Sequence, residues 1–207
     1  MGTKINRPLC VRYFMFMLGL AVMALGSCMA IQAHLGVAPW DVLNIGLTKT
    51  LGLTVGTWSQ LIGLAVIILS YVLAKIKPGL PTALNVIFFG LFIDIFLWLG
   101  FIPEPVYIYQ RILLFLAGLF VMTIGIGMYI SPRLGAGPRD SFMLALNERM
   151  GWSIQKVRMS IELTVMLLGG LLGGPVSIGT LLIAVFTGPL IQRTIPFWEN
   201  LMSKQYG

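Results

Sequence analysis

The sequence predicts an all-α polytopic membrane protein, with six transmembrane helices plus two short re-entrant helices arranged as two inverted-topology repeats. Three observations carry that prediction. First, 57% of the 207 residues are hydrophobic and only 10% are charged, with a mean hydropathy of +0.92. An ordinary soluble domain carries roughly 25% charged residues, and less than half that level cannot coat a water-soluble sphere of this size. Second, apolar stretches of spanning length recur along the chain. Third, a shift of 99 residues lays one half of the sequence on the other. The composition excludes a cytosolic globular enzyme, a disordered chain and a nucleic-acid binder.

The first apolar stretch, 12–33, follows Lys4, Arg7 and Arg12 and so resembles a secretory signal. Its run of about twenty residues is longer than a usual signal core and long enough to span, so it is expected to stay in the mature protein. Met1-Gly2 is followed by Asn6, which fails the myristoylation pattern. Further spans are expected at 58–76, 80–101, 111–131, 158–174 and 176–195. Between them lie two amphipathic segments, 36–54 and 135–153, too polar for lipid. A helix from the Pro to the following Gly in each would be about 21 Å long, against a hydrocarbon core of about 30 Å. They are expected to reach partway and turn back.

The repeat aligns Arg12–Asp41 with Arg111–Asp140. Identical pairs include Gly19/Gly118, Gly26/Gly125, Gly36/Gly135, Pro39/Pro138 and Asp41/Asp140. Apolar composition explains shared Leu and Met, but not the shared G-x-x-P-x-D. After a one-residue slip the match resumes with Thr82/Thr180, Phe88/Phe186 and Gly90/Gly188. Residues 1–207 read as a single membrane domain: repeat 1 over 8–101, a linker over 102–109, and repeat 2 over 110–198. Three spans per repeat turn the second copy over; four would keep the copies parallel. With three spans, Lys4, Arg7, Arg12, Lys75, Lys77, Arg133, Arg139, Arg149, Lys156, Arg158, Arg193 and Lys204 share the side of the N-terminus, and only Lys49 and Arg111 lie opposite. Four spans spread the cations more evenly. The positive-inside rule prefers the first arrangement, with both termini cytoplasmic.

The leading candidates for a substrate or ion site are the paired turns, Gly36, Pro39, Trp40 and Asp41 with Gly135, Pro138, Arg139 and Asp140. Gly permits a tight turn, Pro suits the first helical turn, and an early Asp favours a helix N-terminus. Those residues would start two helices whether or not they bind anything. The functional reading rests on non-helical backbone at membrane depth, which is tolerated where it lines a cavity or is buried in protein. Arg139 stands where the other copy has Trp40, and either meets an anionic group or pairs with Asp140. His34 and Arg133 precede the two turns; His34 reads as an interfacial residue or a proton relay. Asp94 and Glu162 lie inside apolar segments, where an acid costs roughly 2.5–3.5 kcal/mol on insertion scales. Arg158 and Glu162, at i and i+4, are expected to neutralise each other as a structural pair. Asp94 has no partner close in sequence and is the better candidate for coupling a proton or cation.

Gly169, Gly170, Gly173 and Gly174 form overlapping GxxxG registers, which point to close helix packing. Trp58, Trp98, Trp152 and Trp198 fall near expected span ends, as interfacial belts require. Cys10 and Cys28 sit in no metal or CxxC spacing, and the chain has a single His. No nucleotide, zinc-protease, serine-hydrolase or dinucleotide motif occurs, so no cofactor, no metal and no enzymatic activity are expected.

The segment LGVAPWDVLNIGLTKTLGLTVGTWSQLIG with LPTALNVIFFGLFIDIF resembles the YczE/YitT-like (YczE/YyaS/YitT) family of bacterial integral membrane proteins. The specific part is the G-x-x-P-W-D turn with GLT-x-GTWSQ. The resemblance implies a bacterial cytoplasmic membrane location and this fold, closest to the short YczE-like branch without a soluble C-terminal domain, and it brings no set of binding residues. The expected function is transport of a small solute or ion by inverted repeats. The alternative is a non-transporting assembly or regulatory partner, or a substrate-capture subunit of a larger permease. Expected partners are the lipid bilayer, a small solute or ion, and another copy or membrane protein.

Overall fold

A computed structural model describes residues 8–135 and 137–203, so that Lys4, Arg7, Ala136 and Lys204 lie outside the described residues. Among these residues there are eight helices and no strand: α1 Leu9–Ala33, α2 Pro39–Leu51, α3 Val55–Ala74, α4 Leu80–Leu99, α5 Ile108–Ile130, α6 Pro138–Met150, α7 Ile154–Leu171 and α8 Ile178–Ser203. Their ends follow local chemistry. Pro39 and Pro138 open α2 and α6, where a missing N–H has no intrahelical partner to lose. Gly52 and Gly151, at φ 75° and 66°, close them. Thr54 caps α3 by accepting from the Thr57 N–H at 3.1 Å, and Ser153 caps α7 through the Lys156 N–H. At 13 residues each, α2 and α6 are about 20 Å long.

Five helices, α1, α3, α4, α5 and α8, are long and apolar enough to cross a membrane. The stretch expected as a span at 158–174 forms α7, which starts at Ile154 and carries Lys156, Arg158 and Glu162 in its first three turns. It ends at Leu171 because Gly173 turns back at φ 80° and the Gly174 N–H donates to the Gly169 carbonyl at 2.8 Å. The four glycines therefore do not share one helical face. Gly169 instead brings α7 against the α2 backbone, where an added Cβ would stand 2.6 Å from Leu43 Cα.

The centre of the bundle is the α1–α5 pair. These helices run antiparallel, Gly19 facing Met128, Gly26 facing Met122 and Gly118 facing Ala30. α4 packs on α1 and α8 on α5; α2 packs on α7 and α6 on α3. One end of the bundle gathers the start of α1 and the ends of α5 and α8. There Arg12 donates to the Pro132 and Arg133 carbonyls at 2.9 and 3.1 Å, and Arg133 pairs with Glu199 at 2.8 Å. At the other end the Leu35 carbonyl accepts from Ser177 Oγ and from the Gly179 N–H, the latter at 3.2 Å. Lys49 donates there to the Gly173 carbonyl at 2.9 Å. Outward faces such as Leu64, Ile68 and Val72 of α3 are exposed and apolar, as lipid contact requires.

Candidate functional site: a cavity between the two short helices

A cavity of about 220 Å³ lies in the middle of the bundle and takes side chains from all eight helices. The first turns of α2 and α6 both border it, through Pro39 and Trp40 on one side and Pro138, Arg139 and Asp140 on the other. A helix N-terminus carries unpaired amides and the positive end of the dipole. Apolar residues such as Ile62, Met122 and Ile183 form much of the remaining wall.

Trp40 and Arg139, which occupy the same place in the two turns, meet across the cavity. The Arg139 guanidinium carbon stands 4.8 Å from the Trp40 ring centre and 5.9 Å from that of Phe89. Both distances fall within cation–π range. Among the described residues Arg139 has no hydrogen-bond acceptor and no carboxylate within ion-pair distance.

The matched acids are placed differently. Asp41 is buried behind Trp40 at 3% exposure, outside the cavity lining. It accepts from Ser27 Oγ at 2.5 Å and from Asn44 Nδ2 at 3.4 Å. Asp140 is half-buried and borders the cavity. A Cβ built on Gly137 would stand 3.4 Å from Asp140 Oδ2, 3.6 Å from Tyr129 Oη and 3.9 Å from Asn85 Nδ2, so three polar side chains converge there. The difference has a sequence cause: at the 99-residue shift Ser27 and Asn44 align with Ile126 and Met143, which cannot hold a carboxylate. Asn44 also borders the cavity; it is 1% exposed and its Oδ1 has no hydrogen-bond partner among the described residues.

Arg158 and Glu162 pair at 3.0 Å, and both border the cavity rather than lying remote from it. Asp94 is elsewhere, at the first turn of α3, accepting from the Gly56 N–H at 2.8 Å and from Thr54 Oγ1 at 2.5 Å. It closes one orphan backbone donor of that helix, the Gly56 N–H, from 38 residues away and holds the hydroxyl of the N-cap Thr54 from 40. Asp94→Ala is therefore expected to lower unfolding stability by about 1 kcal/mol, as loss of a helix cap does, in denaturant titration of the detergent-solubilised protein. His34 is exposed at the end of α1, in the left-handed region at φ 54°, and does not border the cavity. Gly36 is buried against the start of α8; at φ 134°, with Thr180 N only 2.5 Å from an added Cβ, no other residue fits. Gly135 is exposed beside Pro81.

Ser27, Asn44, Asn85 and Tyr129 are the site residues that the sequence did not single out. The signal for the first two was available: an acid pair kept between the two halves whose surroundings are polar in one and apolar in the other. Asn85 and Tyr129 gave none, since single polar residues in spans are common and nothing local pairs them.

The model of a family of unknown function, DUF6198, matches residues 10–196. The uncharacterized membrane protein YczE of Bacillus subtilis (strain 168) is 35% identical over 193 residues, covering 92% of this chain and 88% of its own length. An uncharacterized protein of Haemophilus influenzae is 33% identical over 185 residues, covering 89% and 82%. The uncharacterized protein YyaS of Bacillus subtilis is 29% identical over 193 residues, covering 92% and 95%. These are the relatives that the G-x-x-P-W-D turn leads one to expect. No solved structure matches.

Proposed function

The chain belongs to the DUF6198 family and is a multi-pass membrane protein; from that premise we propose that it is a bacterial inner-membrane transporter of a small solute or ion, which binds in the central cavity. The observation that carries the reading is the meeting of two short-helix N-termini at one cavity in the middle of the bundle. That is how many secondary transporters hold substrate between inverted repeats.

In this reading α1, α3, α4, α5, α7 and α8 cross the membrane, α2 and α6 are re-entrant, and both termini are cytoplasmic. Two facts support it. The sequence-matched helices α1 and α5 run antiparallel, as a two-fold axis in the membrane plane requires. The packing is also exchanged between halves, α2 with α7 and α6 with α3. Thr50→Cys, at the end of α2, and Arg149→Cys, at the end of α6, are expected to react with a membrane-impermeant maleimide from opposite sides, in a background free of Cys10 and Cys28. Labelling of both from one side would overturn the inverted arrangement.

Transport is tested by uptake of a panel of small solutes into liposomes holding the purified protein alone. Flux of one of them that falls to the protein-free level in Ile126→Trp, which fills the cavity, is the expected result. If no solute moves, the transport reading fails, and co-purification after mild crosslinking then identifies the larger permease or assembly it serves.

A further inference from the structure

We infer that the cavity binds the oxyanion of a small solute, a carboxylate or phosphate gripped by Arg139 between the two helix N-termini, and that the same solute carries an N–H or O–H donor for Asn44. The inference rests on the transporter reading only for what happens after binding.

It follows from accounting for each charge. Five acids or bases border the cavity or lie just behind it: Asp41, Arg139, Asp140, Arg158 and Glu162. Glu162 is paired with Arg158. Asp41 is taken by Ser27 and Asn44. Asp140 is turned back toward the Gly137 amide and feels the charge of Arg158 more than that of Arg139. No carboxylate stands within ion-pair distance of Arg139, although Asp41 and Asp140 act on its charge through space, and the guanidinium lies over the Trp40 ring with its donors unclaimed among the described residues. The planar fork of N–H donors matches the two oxygens of a carboxylate or phosphate. The two helix N-termini add amide donors and positive potential on the same space.

Asn44 is the second, independent observation. It is fully buried at the cavity, and its Oδ1 is the one buried side-chain oxygen or nitrogen without a partner among the described residues. An acceptor left open in an apolar interior is costly, and a donor from a bound molecule satisfies it. A bare anion cannot do this; a hydroxy acid or an amino acid can. Met122, Ile126 and Ile183 leave room for a short apolar body.

The test is thermal unfolding of the purified protein in detergent, titrated with lactate, glycine, acetate, inorganic phosphate and ethanolamine. Lactate and glycine, with both groups, are expected to stabilise most, acetate, which has the oxyanion without a donor, less, and ethanolamine, which has donors without the oxyanion, not at all; inorganic phosphate, whose P–OH is also a donor, should stabilise at least as well as acetate. In Arg139→Gln the apparent affinity for lactate should weaken by about ten- to a hundredfold, as loss of a charge-assisted hydrogen-bonded pair implies. Arg139→Lys, which keeps the charge without the fork, should fall between, and it carries the same reading if the Gln variant does not fold. Stabilisation by ethanolamine, none by any oxyanion, or lactate binding unchanged in both Arg139 variants would overturn the site. So would Arg139-dependent stabilisation by phosphatidylglycerol alone, which would make the oxyanion a lipid headgroup. Oxyanion binding without flux in liposomes would overturn transport and leave the site standing. Flux indifferent to Arg139 would do the reverse.

Discussion

Replacing Gly26 by leucine is expected to abolish recovery of folded, monodisperse protein. α1 and α5 touch backbone to backbone at this level. An added Cβ on Gly26 would stand 2.6 Å from Met122 Cα and 2.7 Å from the Gly118 carbonyl oxygen. The Gly125 site mirrors it, 2.6 Å from Met23 Cα and 2.8 Å from the Gly19 carbonyl oxygen. Neither obstacle is the end of a flexible side chain, so the helices must separate. Overpacking in a well-filled core costs roughly 1–3 kcal/mol per site, and at a backbone contact the cost belongs at the top of that range or above it. In a membrane, where water does not drive helices together, loss of such contact removes the association itself. Gly26→Ala, which already carries the clashing Cβ, should lower that recovery, and Gly26→Leu should abolish it. The check is the monodisperse fraction in size-exclusion chromatography, with the exposed position Leu64→Ala as control. A Gly26→Leu protein that elutes and unfolds like the wild type would mean that the α1–α5 seam is wrongly described.

The second large effect is expected at Asp41. Asp41→Ala removes the acceptor for Ser27 and for the Asn44 amide in one step, and Asn44 then lacks partners on both sides of its side chain. Each orphaned buried group costs about 1–3 kcal/mol, so destabilisation of roughly 2–5 kcal/mol is expected in denaturant unfolding. Asp41→Asn keeps the shape and one acceptor and should cost clearly less. Ser27→Ala combined with Asp41→Ala should be non-additive, with a coupling of roughly 0.5–3 kcal/mol, because the two share a hydrogen bond. The matched acid gives the contrast: Asp140→Ala should destabilise less, since Asp140 borders the cavity rather than being locked in a buried side-chain network like that of Asp41 with Ser27 and Asn44. Equal losses at the two positions would contradict the asymmetry between the halves.

That asymmetry marks how far the sequence could be read. The turns at 36–41 and 135–140 stood out because Gly, Pro and Asp at fixed spacing act within one helical turn, and α2 and α6 begin at the two prolines. The Arg158–Glu162 pair was legible for the same reason, being one turn apart on one helix. The partners of Asp94 were not legible, because they lie about forty residues away on a neighbouring helix. Nor was the cation–π contact of Arg139 with Trp40: alignment made these residues counterparts, but counterparts need not touch. The four glycines of 169–174 suggested one packing face, yet a turn at Gly173 divides them.

The sequence by itself determined that this is a helical membrane protein, where its two short helices begin and end, and which residues repeat between its halves. Composition fixes the solvent, and caps and breakers act through neighbouring backbone, so no distant contact is needed to predict them. Only the tertiary structure decided that the antiparallel α1–α5 seam is the centre, that all eight helices enclose one cavity, and that Arg139 faces it while Asp41 is locked behind. The reason is hydrogen-bond supply. Whether a buried polar group is held or left open depends on what other helices bring to within about 3 Å, and in a bundle those neighbours come from far along the chain.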